Sequence, residues 1–76
     1  MKAYVLIKIR AGDIKEVVRS LRKVDGILEA HMTFGPYDAV AEVETPDVAK
    51  LGEITALKIQ PIPGVDQTLT CLAVDI

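Results

Sequence analysis

The hydrophobic pattern of this 76-residue chain switches between a period of two and a period near 3.6 residues in an order that leaves few folds open. Residues 3–10 (AYVLIKIR) alternate, with Ala3, Val5, Ile7 and Ile9 on one face and Tyr4, Leu6, Lys8 and Arg10 on the other, which predicts a strand. Gly12 and Asp13 break the pattern. Asp13 with Glu16 three residues later has capping-box spacing and opens a helix over about 13–24, whose apolar positions Ile14, Val17, Val18, Leu21 and Val24 form one stripe. Asp25-Gly26 ends it. Residues 27–34 alternate again, Leu28, Ala30, Met32 and Phe34 against Ile27, Glu29, His31 and Thr33, and Met32 and Phe34 are expected in the core. Gly35-Pro36 turns the chain into a returning strand over 37–45, in which Ala39, Ala41 and Val43 oppose Asp38, Val40, Glu42 and Glu44. Thr45-Pro46-Asp47 reads as N-cap, first-turn proline and an acid at the positive end of a helix over about 46–59. Val48, Leu51, Ile54, Leu57 or Lys58, and Ile59 are its inner side, and Gly52 weakens it by roughly 1 kcal/mol. Pro61, Pro63 and Gly64 stop that helix and lead into a last strand over about 65–75, with Leu69, Cys71 and Ala73 on one face and Thr68, Thr70, Leu72 and Val74 on the other.

The element order βαββαβ is that of the ferredoxin-like α+β fold, a four-stranded antiparallel sheet with two helices on one face. The chain reads as one domain, 1–76, with no linker, repeat or low-complexity segment. The first and third strands are then central neighbours. On the sheet face away from the helices, Leu6, Ile27, Val40, Leu72 and Val74 are expected among Lys8, Arg10, Glu42 and Glu44, whose opposite charges pair laterally. A chain this short has a marginal core of its own, and its single cysteine, Cys71, forms no internal disulfide. Packing two such faces across a two-fold axis is the remaining way to bury apolar surface, which predicts a dimeric αβ sandwich.

Nine basic residues against eleven acidic ones argue against direct nucleic-acid binding, and Arg19, Arg22 and Lys23, flanked by Glu16 and Asp25, read as a solvated helix face. The apolar run at the start is short and interrupted by Lys8 and Arg10, so no signal peptide or membrane span is expected; with one cysteine this suggests the cytoplasm. No nucleophile elbow, phosphate loop or metal-ligand spacing is present, and neither a cofactor nor a metal is implied. His31 is expected on the outer sheet face beside Glu29 and Thr33 as a packed or interface residue, and Cys71 as a small core hydrophobe. The chain is not equipped as an enzyme.

The best candidate site is the turn Phe34-Gly35-Pro36-Tyr37-Asp38. Gly35 permits close backbone approach, Tyr37 supplies an apolar plane with a hydroxyl, and Asp38 supplies a carboxylate. Exposed amides for a carboxylate and Asp38 for an ammonium suit a small zwitterion. Thr68 and Thr70 on one face of the last strand add hydroxyls that can join the site across a subunit boundary. The plainer alternative is an ordinary turn in which Asp38 bonds its own backbone.

These same segments carry a resemblance. AYVLIKI, VDGILEAHMTFGPYDAVAEVE and LKIQPIPGVDQTLTCLAV, and above all the GxYD turn followed by IxxIPGVxxTxT, resemble the effector-binding (RAM) domain of the Lrp/AsnC transcription factors over essentially the whole chain. The resemblance implies a sheet-packed dimer, dimers assembled into an octamer or decamer ring, and amino acids bound at contacts between dimers. On matching positions it implies Gly35, Tyr37, Asp38, Thr68 and Thr70 as ligand-binding residues. Full-length members carry an N-terminal helix-turn-helix, whereas here Met1 directly precedes the first strand. The chain therefore looks like a stand-alone form, or an excised domain, that does not bind DNA by itself. The role expected is to modulate an Lrp/AsnC-type regulator by co-assembly or to sense amino acids for another partner. A ligand-free structural subunit and a small dimeric α+β barrel enzyme are the competing readings.

Overall fold

A computed structural model describes residues 1–75, and its element order is the expected one. Strand β1 is Lys2–Ile9, helix α1 Ile14–Leu21, β2 Ile27–Met32, β3 Ala39–Glu44, helix α2 Val48–Ile54 and β4 Val65–Leu72. The sheet is antiparallel in the order β2-β3-β1-β4, so β1 and β3 are the central pair. Among the described residues no helix is long and apolar enough to cross a membrane.

The sheet registers place residues in rows across all four strands. On the helix side run Leu72–Ala3–Val43–Ile27, Thr70–Val5–Ala41–Ala30 and Thr68–Ile7–Ala39–Met32. The middle of these rows is buried, with alanines at Ala30, Ala39 and Ala41 giving room for Val17, Leu21, Leu51 and Ile59 to descend from the helices. On the open side run Leu69–Leu6–Val40–His31 and Cys71–Tyr4–Glu42–Glu29.

The expected face is reversed along β4, and in β2 Ile27 and Leu28, the latter 57% exposed, depart from it; in each case a β-bulge is the cause. The pairing of β2 slips between Ile27 and Glu29, and that of β4 with β1 slips where Lys8 faces Gln67 but Ile9 faces Val65. One extra residue in a strand flips every side chain beyond it to the other face. Ile27 therefore packs against the core rather than lying on the open face. Thr68, Thr70 and Leu72 share the helix side, and Leu69 and exposed Cys71 lie on the open side. Cys71 is thus not a core residue, nor are Met32, 53% exposed at the sheet edge, and Phe34, whose side chain projects fully into solvent. Val74 is exposed beyond the end of β4, which stops at Leu72 rather than at 75.

Helix starts also differ from expectation. The Asp13 side chain does not cap α1; its carboxylate takes Arg10 Nε at 2.7 Å, and Glu16 pairs with Arg19 instead. The cap of α2 is Asp47, whose side chain accepts from Lys50 N at 2.8 Å, while Thr45 is buried and donates its hydroxyl to Asp47 O. After Ile54 the helix widens into a π-helical turn, Thr55–Ile59, closed by Gln60 N donating to Thr55 O. The lateral ion pair on the open face is Lys2–Glu42 at 3.0 Å, not one made by Lys8 or Arg10.

The two βαβ halves repeat each other although no sequence repeat announces it. Gly26 and Gly64 have φ +96° and +101°, each leading from a helix into a bulged edge strand. Gly26 O accepts from Glu44 N at 2.9 Å, and Gly64 O accepts from Arg10 N at 2.8 Å. Each glycine also abuts the opposite half: a Cβ at Gly26 would lie 2.8 Å from Ile54 Cδ1, and one at Gly64 2.8 Å from Asp13 Cβ.

Candidate functional site

The turn between β2 and β3 is tied at four points. Thr33 N donates to Asp38 O at 2.9 Å, and Thr33 Oγ1 donates to Tyr37 O at 2.8 Å, closing the loop on itself. Asp38 N donates to Ile7 O at 2.9 Å, and Asp38 Oδ2 accepts from Ile9 N at 2.7 Å, locking the loop to β1. This carboxylate stands where a longer β3 would have offered a carbonyl to Ile9. Gly35 has φ +145° with open space around it, so its conformation rather than crowding requires glycine.

This closure leaves specific groups free. Among the described residues the amides of Phe34, Gly35 and Tyr37 donate to no protein acceptor, and Asp38 Oδ1 accepts no hydrogen bond. Beside them is a hollow of about 350 Å³ on the open sheet face, with Leu6 and Val40 as floor and Phe34, Pro36 and Tyr37 as wall. Lys8 Nζ lies 6.0 Å from the centre of the Tyr37 ring, at the limit of a cation–π contact. Unpartnered amides and an unpartnered carboxylate oxygen within one turn are the partners that a carboxylate and an ammonium take.

Thr68 and Thr70 lie elsewhere. Thr68 is opposite Ile7 and Thr70 opposite Val5, on the helix side of the edge strand β4. Thr68 and Asp38 flank the same residue of β1, one on each side, and within one protomer they line no common hollow. Thr68 borders a second hollow, of about 380 Å³, with Gln60, Val65, Asp66 and Gln67. Gln60 Nε2 donates to Thr68 Oγ1 at 3.1 Å. Sequence reasoning missed Thr33 and Gln60. The signal for Thr33 was a hydroxyl four residues before Tyr37 across Gly-Pro; for Gln60 there was none, because its reach to Thr68 depends on the π-helical turn.

His31 is on the open face as expected, with Nε2 at 3.1 Å from Glu29 Oε1. The hydrogen bond from His31, then its charge, hold the Glu29 carboxyl below its ordinary 4.5. A carboxyl lowered on folding adds stability above its ordinary value and loses it as pH falls through the folded one. Urea midpoints of the wild type should therefore fall more steeply below pH 4.5 than those of Glu29→Gln. Both side chains are exposed, so the difference is small.

Comparison with known proteins gives three results. Residues 2–76 match the family described as the Lrp/AsnC ligand binding domain. The chain is 38% identical over 72 residues to the HTH-type transcriptional regulator FL11 of Pyrococcus horikoshii, an alignment that takes in 95% of this chain and 47% of FL11. It thus spans about half the length of these curated relatives. Among solved structures, TTHA0845 from Thermus thermophilus superposes with a TM-score of 0.94 at 31% identity, covering 99% of this chain and 94% of that one. The Neisseria meningitidis transcriptional regulator NMB0573, solved as an L-Met complex, superposes with a TM-score of 0.87 over 97% of this chain and 49% of its own, but at 20% identity it speaks for the fold alone.

Proposed function

The chain belongs to the Lrp/AsnC ligand-binding domain family, and from that premise we propose that it is an amino-acid-binding regulatory domain that works as a sheet-packed dimer. The observation that carries this reading is the turn, where the amides of Phe34, Gly35 and Tyr37 and one oxygen of Asp38 have no protein partner among the described residues and the turn walls an apolar hollow. The amides take the α-carboxylate of an amino acid, and Asp38 takes its ammonium. Thr68 and Thr70 complete the site from a neighbouring copy, since in their own protomer they lie on the opposite sheet face. The role is regulatory rather than enzymatic: the relatives are transcription regulators, and the domain modulates such a regulator or its own higher assembly.

The dimer follows from the open face. The row Leu69–Leu6–Val40 and the adjoining Tyr4 and Cys71 make an apolar patch over β4, β1 and the start of β3, while His31, Glu29 and Glu42 make the rest of β2 and β3 polar. Leu69 is 47% and Tyr4 41% exposed in one protomer, an arrangement that a facing sheet removes from water. Light scattering on the eluting chain should give at least twice the mass of one chain. Leu6→Glu, which puts a charge in the middle of the row, should give the monomer. A wild-type monomer at micromolar concentration defeats the dimer, and silence toward every amino acid in titration, with the dimer intact, favours a purely structural subunit.

A further inference from the structure

We propose that the free edge of β2 binds an extended, acid-bearing segment of another protein, which adds to the sheet as a fifth strand with its carboxylates under α1. The backbone of that edge is open. Thr33 N donates to Asp38 O, so the backbone groups of Thr33 and, two residues back, of His31 face β3. Ala30 and Met32 are out of phase with these and point their N–H and C=O groups away from the sheet. Of those four outward groups, only Ala30 O has a partner among the described residues, the Arg22 Nε at 2.9 Å. A carbonyl has two lone pairs, so Ala30 O still accepts from an incoming strand.

Beside this edge lies a hollow of about 210 Å³, lined by Lys15, Val18, Arg19, Arg22 and Met32. It is bordered by cations and by no acid. Arg19 pairs with Glu16, but Lys15 and Arg22 make no ion pair among the described residues. The three cations stand at i, i+4 and i+7, one stripe of α1 about 10 Å long. Alternate residues of a strand are about 6.8 Å apart, so acids at two successive alternate positions fit under the stripe. The intervening residues would lie on the open face beside Glu29 and His31, where a further acid would meet the Glu29 carboxylate. Other occupants suit the edge less well. A second copy paired through β2 across a two-fold axis would set the cationic stripe against itself. A nucleic-acid backbone offers phosphate acceptors and leaves the outward carbonyls of β2 without donors, whereas a polypeptide backbone supplies both. The opposite edge, β4, has no such stripe, since the hollow beside it holds no cation.

Fluorescence polarisation of the intact chain with short labelled peptides tests this. A peptide with Glu at alternate positions among Thr and Val should bind at least about tenfold more tightly than one of the same composition with its Glu residues in a block. N-methylating the alternating peptide at every second residue should abolish binding in one phase and leave it nearly unchanged in the other, because only one set of its amides faces β2. Replacing both Lys15→Gln and Arg19→Gln should weaken the alternating peptide about tenfold or more. Both side chains are exposed, so the urea midpoint of this double variant should stay close to wild type. Equal binding of the alternating and block peptides, or indifference to N-methylation in both phases, means that the stripe attracts acids without strand addition and overturns the inference. Tighter binding of a nucleic-acid duplex overturns it in favour of a phosphate backbone. Silence of every peptide overturns it as well, and leaves Arg22 as a guard that closes the edge.

Discussion

Gly64→Ala is expected to lower the unfolding free energy by about 2–4 kcal/mol, whereas Gly26→Ala, at the equivalent corner of the other half, should cost about 1–2 kcal/mol. Both glycines have positive φ, so both replacements meet the same conformational penalty. They differ in what the new methyl group strikes. At Gly26 it meets Ile54 Cδ1, the far end of a flexible side chain that can rotate aside. At Gly64 it meets Asp13 Cβ at 2.8 Å, with Asp13 Oδ2 at 3.0 Å and Val17 Cγ2 at 3.1 Å close behind. A Cβ is fixed to its backbone, and the Asp13 carboxylate is already held by Arg10, so α1 itself would have to shift. For a domain of this length the larger loss is a substantial share of all the stability it has. Urea unfolding of the two variants checks this, and equal shifts in midpoint would mean that the contact with α1 does not decide the outcome.

The same corners account for what the sequence did and did not disclose. Element order, strand pairing and the inward residues of β1, β3 and α1 follow from periodicity, because each of those segments keeps one period from end to end. The second helix changes period at its π-helical turn, which buries Thr55, and Val48, expected inward, is 59% exposed. The edge strands do not keep one period either. In each, the first residue after the glycine, Ile27 or Val65, packs inward, and the next is the bulge that resets the alternation. Counting by twos from Val65 puts Leu69 and Cys71 in the core and Thr68 and Thr70 outside, which is the reverse of the register. Nothing in Val65-Asp66-Gln67 marks the slip, since a bulge is fixed by pairing to β1 and by the close approach of Gly64 to α1. Met32 and Phe34 depart from expectation for another reason: Met32 has the phase of a core residue but lies on an edge strand at the rim of α1, beside Lys15, Val18, Arg19 and Arg22, and Phe34 lies in the turn beyond the end of β2.

The turn was legible because its chemistry is local. Gly35 for the backbone angle, Tyr37 for an apolar wall and Asp38 for a carboxylate can be read in five consecutive residues. What could not be read is that one oxygen of Asp38 is committed to the fold, which leaves the other for the ligand we propose. Oδ2 satisfies Ile9 N, an amide belonging to a buried residue of β1, and only Oδ1 remains for a ligand.

That division makes Asp38 the residue whose replacement should do the most to function, and it separates two effects that a single alanine variant would merge. Asp38→Ala strands the Ile9 amide, which costs about 1–3 kcal/mol, and it removes the ammonium partner as well, so both stability and amino-acid binding should fall. Asp38→Asn keeps an acceptor oxygen for Ile9 and loses only the charge. Its urea midpoint should stay close to wild type, while affinity for the effector drops roughly ten- to a hundredfold, the loss expected for one charge-assisted hydrogen bond. Parallel titration and unfolding of the two variants would show the pattern. If Asp38→Asn binds as tightly as wild type, the carboxylate is a strand cap alone, and the ammonium must be held by another group. If it destabilises as much as alanine, the charge itself holds the turn to β1, and the loss of binding in either variant then follows from a loosened turn rather than a missing contact.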